Sequence, residues 1–437
     1  MATSFQLTYS SKLAPCHTRY SQREARMNKN TKPPLIFSLS SFTGFNTGVG
    51  GHYRSVLEFS KILSSDFNVS IITFGDIPSP VYSGLRNYTH VEASSSLNPR
   101  AICRLRRAVV AAAAGDPARI VTTGLNNDYA PMRLATCGLG ATYYHVKPGG
   151  KAATAPTVFN GIPLAVFHDE DAQVFRRIDP RRSLVVTPGR VAPPALDAGF
   201  LDTSKSPVFS THAVNVACVM RISDYYAESI KGIHESLKGV SNITFTHYGT
   251  IQDDEVHRSI LGRDPGCPYA LITDPVVTAS AAKAIHPFQV FVGLGRSALE
   301  AMSLGIPTFI PVRAAEGRWS LRAVTDKNWQ VFAKANFTAR VAVNDLDVAG
   351  PAIDLASALA QPGLLKDLGR SCKMIFEGNF SAESSRGTWN AFLKSSTFTG
   401  NARDLLRVTL LLRSEARRLL KLKRMRFQAA HAEPGKK

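Results

Sequence analysis

From residue 34 to residue 313, apolar runs of strand length alternate with stretches whose apolar positions recur at helical spacing. Residues 35–39 read as a buried strand, and 40–51 as a loop holding Gly48, Gly50 and Gly51. A helix over about 52–64 follows, with Val56, Phe59, Ile62 and Leu63 on one face, and 69–74 is the next strand. Strand, glycine loop, helix and strand in that order predict a Rossmann-like βαβ unit. The glycines leave backbone N–H groups free at the helix start, a place for an anionic ligand. Segments 119–124, 141–146, 164–167 and 183–186 supply further strands, and Pro188, Pro193, Pro194 and Pro207 mark a stiff linker. A second series then opens: a strand at 214–219 ending in Met220 and Arg221, a helix over about 226–237, and a strand at 243–247 ending at Tyr248, Gly249 and Thr250. The fold class is α/β with two Rossmann-like domains, expected over 34–205 and 206–380.

The densest pattern is residues 286–313, HPFQVFVGLGRSALEAMSLGIPTFIPVR. It predicts a strand over 288–292, a turn at Gly293 and Gly295, and a short helix with Ser297 as N-cap that stops at Gly305. A strand over 308–312 follows. Glu300 is a single acid in an otherwise apolar helix, near the carboxyl end of the preceding strand, where open α/β sheets bind ligands. An acid so placed needs a partner.

The run GLGRSALEAMSLGIPTFI resembles the donor-binding signature of GT-B glycosyltransferases, particularly the retaining family 4 type, and the resemblance spans about 35–395. It implies two domains facing across a cleft, with a helix at 381–400 returning to the N-terminal domain. It implies that Glu300 accepts hydrogen bonds from the donor ribose and that Gly50 and Gly51 face the donor phosphates, with His52 beside them as a catalytic cleft residue. Arg221 maps onto the arginine that meets the diphosphate and shares the catalytic role. The family's lysine five residues later is Tyr226 here, with Lys231 the nearest substitute. Gly249 falls near the nucleotide base, and Gly295, Arg296 and Ser297 complete the donor-binding set. A second glutamate that the family places eight residues before Glu300 is Val292 here.

The implied activity is sugar transfer from a nucleotide-diphosphate donor to a glycan, lipid-linked or small-molecule acceptor. Neither metal nor cofactor is implied, because protein cations and helix N-termini can neutralise the leaving phosphate. Two other readings compete. Gly293, Gly295 and Ala298 match the dinucleotide pattern G-x-G-x-x-A, with Arg313 placed for the extra phosphate of NADP, as in an oxidoreductase. That reading leaves Glu300 and the first βαβ unit without a role. The third is a transferase-fold partner protein without catalysis, given Val292.

Local acids and bases have bland readings at this level. Asp169 and Asp171 match the D-x-D of a metal site, but acids at a helix start also cap it and complement its dipole. Lys147, Gly149, Gly150 and Lys151 read as a solvated basic loop.

The net charge of +19 sits at the ends. Residues 1–33, a basic extension expected to be disordered, hold six Lys/Arg against one acid, and 401–437 hold eleven against three, which leaves +6 for everything between. Nucleic acid is therefore not an expected partner of the core. Residues 403–427 read as a basic amphipathic helix suited to an anionic membrane surface, or as a solvated tail. Six scattered cysteines without a C-x-x-C pair, and no apolar run of the roughly 18 residues a membrane span requires, favour a cytoplasmic, at most peripheral, protein.

Overall fold

The computed structural model describes residues 32–42, 50–95, 98–123, 128–149, 161–194, 213–262, 264–274, 277–278, 281–314, 316–395 and 398–399. Gly48, Gly150, Lys151, Pro207 and the basic segments 1–31 and 403–427 lie outside them.

Seven parallel strands form the first sheet: β1 (Pro34–Ser41), β2 (Asn68–Gly75), β3 (Tyr88–Glu92), β4 (Arg119–Thr122), β5 (Thr142–Val146), β6 (Leu164–Val166) and β7 (Leu184–Val186). Their order is β3-β2-β1-β4-β5-β6-β7. Every residue of β1 is buried, because helices cover both faces. Strand alternation sorts the two cores. Leu35, Phe37 and Leu39 pack with Val56, Phe59 and Leu63 of α1 (Gly51–Leu63). Ile36, Ile72 and Ile120 pack instead with Leu105 and Val109 of α2 (Pro99–Ala113) and Met132 of α3 (Tyr129–Ala135). Next along the chain is α4 (Asp169–Ile178), between β6 and β7.

The second sheet has six strands: β8 (Val214–Val219), β9 (Ile243–Tyr248), β10 (Tyr269–Ile272), β11 (Val290–Val292), β12 (Thr308–Arg313) and β13 (Trp319–Ala323). They run in the order β10-β9-β8-β11-β12-β13, all parallel except the antiparallel pair β12 and β13. Its helices are α5 (Asp224–Leu237), α6 (Asp254–Leu261), α7 (Ala281–Ala284), α8 (Gly295–Ser303), α9 (Trp329–Lys334), α10 (Val343–Ala349), α11 (Leu355–Leu359) and α12 (Pro362–Asn379). The last, α13 (Arg386–Ser395), packs on the first sheet. Its Trp389 is fully buried, 4.8 Å from the Phe59 ring, and the Tyr144 hydroxyl donates to the Leu393 carbonyl at 2.9 Å.

Three local expectations change. The strand expected from Phe288 begins at Val290. Ser297 is not the N-cap of α8; Leu294 holds that position in extended conformation, and Ser297 lies inside the first turn. Gly295, at φ +58, takes the left-handed turn that lets the helix start three residues early. No helix among the described residues is long and apolar enough to cross a membrane.

Candidate active site

In each sheet the strand order reverses beside its first strand, opening a crevice between β1 and β4 and another between β8 and β11. Arg221 follows β8, and the turn into α8 follows β11. From the opposite side comes the start of α1, with Gly50 as its extended N-cap. The two helix starts touch: a Cβ on Gly51 would lie 3.4 Å from Cδ of Arg296. Neither helix has an acid in its first turn or a side-chain cap, so both present partial positive charge there.

A cavity of about 280 Å³ lies between them. The first domain contributes Gly50, Gly51 and Arg54 to its wall. The second contributes Arg221 and Tyr226 after β8, Tyr248, Gly249, Thr250 and Gln252 after β9, and Arg296, Ser297 and Glu300 from α8. Most of the residues that the sequence singled out are thus brought together. Gly249 is glycine for a steric reason, since a Cβ would fall 2.2 Å from the Met220 carbonyl oxygen. The Ser297 hydroxyl donates to the carbonyls of Leu294 at 2.8 Å and Val219 at 3.0 Å, tying α8 to the end of β8. Arg221 is exposed to the cavity mouth, its guanidinium 5.7 Å from the Tyr226 ring.

Glu300 has the partner its burial demands. Its side chain is 8% exposed, and Oε1 accepts from Nε of Arg296 at 2.8 Å with Nη1 of Arg54 at 4.0 Å. Nη1 of Arg296 also donates to the Arg190 carbonyl at 2.6 Å and to the Ser55 hydroxyl at 3.1 Å. Arg190 is itself buried, with its guanidinium 4.8 Å from the Phe167 ring and hydrogen bonds to the Asn336 side chain and to the Pro188 carbonyl at 3.2 Å. Burial, reinforced by the Arg296 charge and opposed by Glu300, pulls Arg190 down to about 9. Burial also holds Arg296 below the usual guanidinium range; Glu300 opposes that shift and Arg54 adds to it. Three arginines against one carboxylate give the cavity wall a net positive charge, which favours an anion there.

Three sequence-level choices fall outside the cavity wall: Lys231, His52 and Gly295, whose neighbours Leu294 and Arg296 do line it. Lys231 lies on α5 with its side chain 38% exposed and Glu235 at 4.0 Å, which makes it a surface lysine. His52 packs at the start of α1, its ring 4.3 Å from that of Tyr53. Burial and then the Arg221 charge lower its pKa to about 4, so it is neutral at pH 7. The basic loop also changes character. Lys147 is 14% exposed and lies 3.1 Å from the fully buried Asp171, which has Nε2 of His168 at 3.1 Å as well. The N-cap of α4 is His168, whose Nδ1 accepts from the Asp171 N–H at 3.4 Å. Glu170 meets Arg340 of the second domain at 2.7 Å.

Sequence reasoning missed Arg54 and Arg190. Arg54 stood on the polar side of a helix read for its apolar face, and Arg190 lay in a segment read as linker. The pairing of Arg296 with Glu300 had a signal, the four-residue spacing of opposite charges on one helix.

No protein-family model and no curated protein matches the sequence. Solved structures do match. A glycosyltransferase from Rickettsia africae superposes with a TM-score of 0.52 at 13% identity, over 84% of this chain and 98% of that one. The Anabaena HepE protein in complex with UDP and glucose superposes with a TM-score of 0.51 at 10% identity, over 83% of this chain and all of that one, 100%. The fold is GT-B. At these identities the likeness extends to the fold alone, and chemistry has to be argued from the cavity. In this GT-B chain, Val292, which stands where the resembled family keeps a second glutamate, is fully buried in β11 within the core.

Proposed function

We propose that the chain is a glycosyltransferase that uses a nucleoside-diphosphate sugar. The observation that carries this reading is Glu300, buried and paired with Arg296, in the wall of a cationic cavity at the switch point of a GT-B fold. The diphosphate lies between Arg221 and Arg54, at the N-terminus of α1. Arg54 supplies from the first domain the second cation that Tyr226 cannot. The ribose hydroxyls donate to Glu300, and the base lies against the ends of β8 and β9 at Tyr248, Gly249 and Thr250. As the glycosidic bond breaks, negative charge grows on the leaving phosphate oxygen, and fixed guanidinium groups and helix N–H groups stabilise it without reorganising. The presence of UDP in the HepE structure supports the same ligand class for a chain of this fold. With Val292 in the core, contacts to the sugar come from other residues, and the acceptor enters from the first-domain side of the cleft.

The test is thermal unfolding with UDP, GDP, ADP, NAD and NADP, followed by an assay for diphosphate release from the matching nucleotide sugars. Saturation at about 100 times the dissociation constant raises stability by about 2.7 kcal/mol. One nucleoside diphosphate is expected to raise the melting temperature, and its sugar conjugates to be turned over. A shift with NADP alone would overturn the reading.

A further inference from the structure

We infer that Arg296 is a positioning residue that aims Glu300 at the ligand, and that it does so by bracing the carboxylate against the other domain. The inference rests on the reading of the cavity as a nucleotide site. By sequence position Arg296 was a donor contact, but its guanidinium is already committed: Nε to Glu300, and Nη1 to both the Arg190 carbonyl and the Ser55 hydroxyl. A planar guanidinium held at two edges fixes the plane and distance of the carboxylate it meets, which a lysine ammonium would not do. Among the described residues, Arg54 and Arg296 both approach Glu300 through Oε1, and Oε2 is the oxygen assigned to a ligand hydroxyl.

The brace is itself anchored. Arg190, whose carbonyl receives Arg296, is held by Asn336, and the carbonyl of the next residue, Phe337, accepts the Gly295 N–H at 2.8 Å. The start of α8, Arg190 and the 336–337 turn therefore close a ring of contacts around Arg296. On the far side, Ser55 is fixed by donating to the Gly51 carbonyl at 2.9 Å. Arg296 so links the orientation of the ribose acid to the approach of the two domains.

The experiment titrates wild type, Arg296→Ala, Arg296→Lys, Ser55→Ala and Glu300→Ala with UDP, GDP and ADP and with their 2′,3′-dideoxy counterparts, which lack the ribose hydroxyls. Arg296→Ala is expected to weaken the preferred diphosphate about tenfold while its dideoxy analogue changes less than about twofold. Arg296→Lys behaves like the alanine variant, and adding Arg296→Ala to Glu300→Ala weakens binding no further. Ser55→Ala, which removes one interdomain arm and leaves the charge, shows the same selectivity at smaller size. It carries the test if Arg296→Ala does not fold. Equal losses for both analogues would make Arg296 a direct phosphate ligand and overturn the inference, as would affinities unchanged from wild type. A wild type that binds none of the diphosphates overturns the nucleotide reading itself, a different outcome.

Discussion

Two buried carboxylates in this molecule satisfy the same physical rule and end in different places. Asp171 in α4 is fully buried and is met by Lys147 and His168 at 3.1 Å each. Glu300 in α8 is 8% exposed and is met by Arg296 at 2.8 Å and Arg54 at 4.0 Å. Both have the cationic partner that a buried acid requires, Lys147 for Asp171 and Arg296 for Glu300. Asp171, however, lies outside the interdomain cavity, whereas Glu300 forms part of its wall. The first is a fixed element of structure; the second is the acid we propose for the ligand. What separates them is access, set by the turn at Gly295 and the approach of the second domain.

The largest effect that sharpens this contrast belongs to Asp171. Asp171→Ala removes the fully buried carboxylate that Lys147 and His168 meet and is expected to lower unfolding stability by about 3–5 kcal/mol in urea titration. Nucleotide affinity of the folded fraction should not change.

Acid provides the next separation. Burial, with Arg182 adding, lowers His145 to about 3, and burial, opposed by the hydrogen bond to Met220, lowers His247 to about 4. Native imidazoles that resist protonation contribute stability above the unfolded value near 6.5 and lose it as pH falls toward their native values, by about 5 kcal/mol for His145 and about 3 kcal/mol for His247. For Asp171, burial would raise the carboxyl, but His168 and Lys147 outweigh it and hold it below its ordinary value. Its contribution is present above about pH 3.9 and is lost only as pH falls further, through its native value. Wild-type stability should therefore rise with pH between about pH 4 and 6.5, read by urea titration at each pH, with the Asp171 contribution confined to lower pH.

Glu300→Gln comes third. It should cost less stability than Asp171→Ala yet weaken the preferred nucleoside diphosphate about tenfold, near 1.4 kcal/mol. Lys231→Ala is the smallest, within about 0.5 kcal/mol in stability and without effect on nucleotide binding. A larger loss of binding there would return Lys231 to the site.

How far the contrast could be read from sequence depends on the residue. Apolar runs such as those of β1, β8 and β12 are buried on both faces and long enough to be seen, and the glycine turns that start α1 and end α8 have distinctive chemistry. β3 was invisible because an edge strand reading YTHVE buries one residue in five. α2 was not identified, although Pro99 and the Asn98 cap, which accepts from the Arg100 N–H, mark its start. Glu300 was legible because an isolated acid in an apolar helix is rare. Asp171 was not, since an acid in a first helical turn is ordinary and its partner Lys147 lies 24 positions away. Arg190 was hidden for the same reason: its role comes from contacts with Phe167, Asn336 and Arg296, which no local pattern encodes.

The central claim is that Glu300 is the acid held for a ligand, and calorimetric titration tests it most directly. UDP, GDP and ADP are titrated into wild type and Glu300→Gln with both proteins shown to be folded. The account predicts that one diphosphate binds wild type and binds the variant about tenfold more weakly. Equal affinity in the two proteins would contradict it, and would make Glu300, like Asp171, a structural acid.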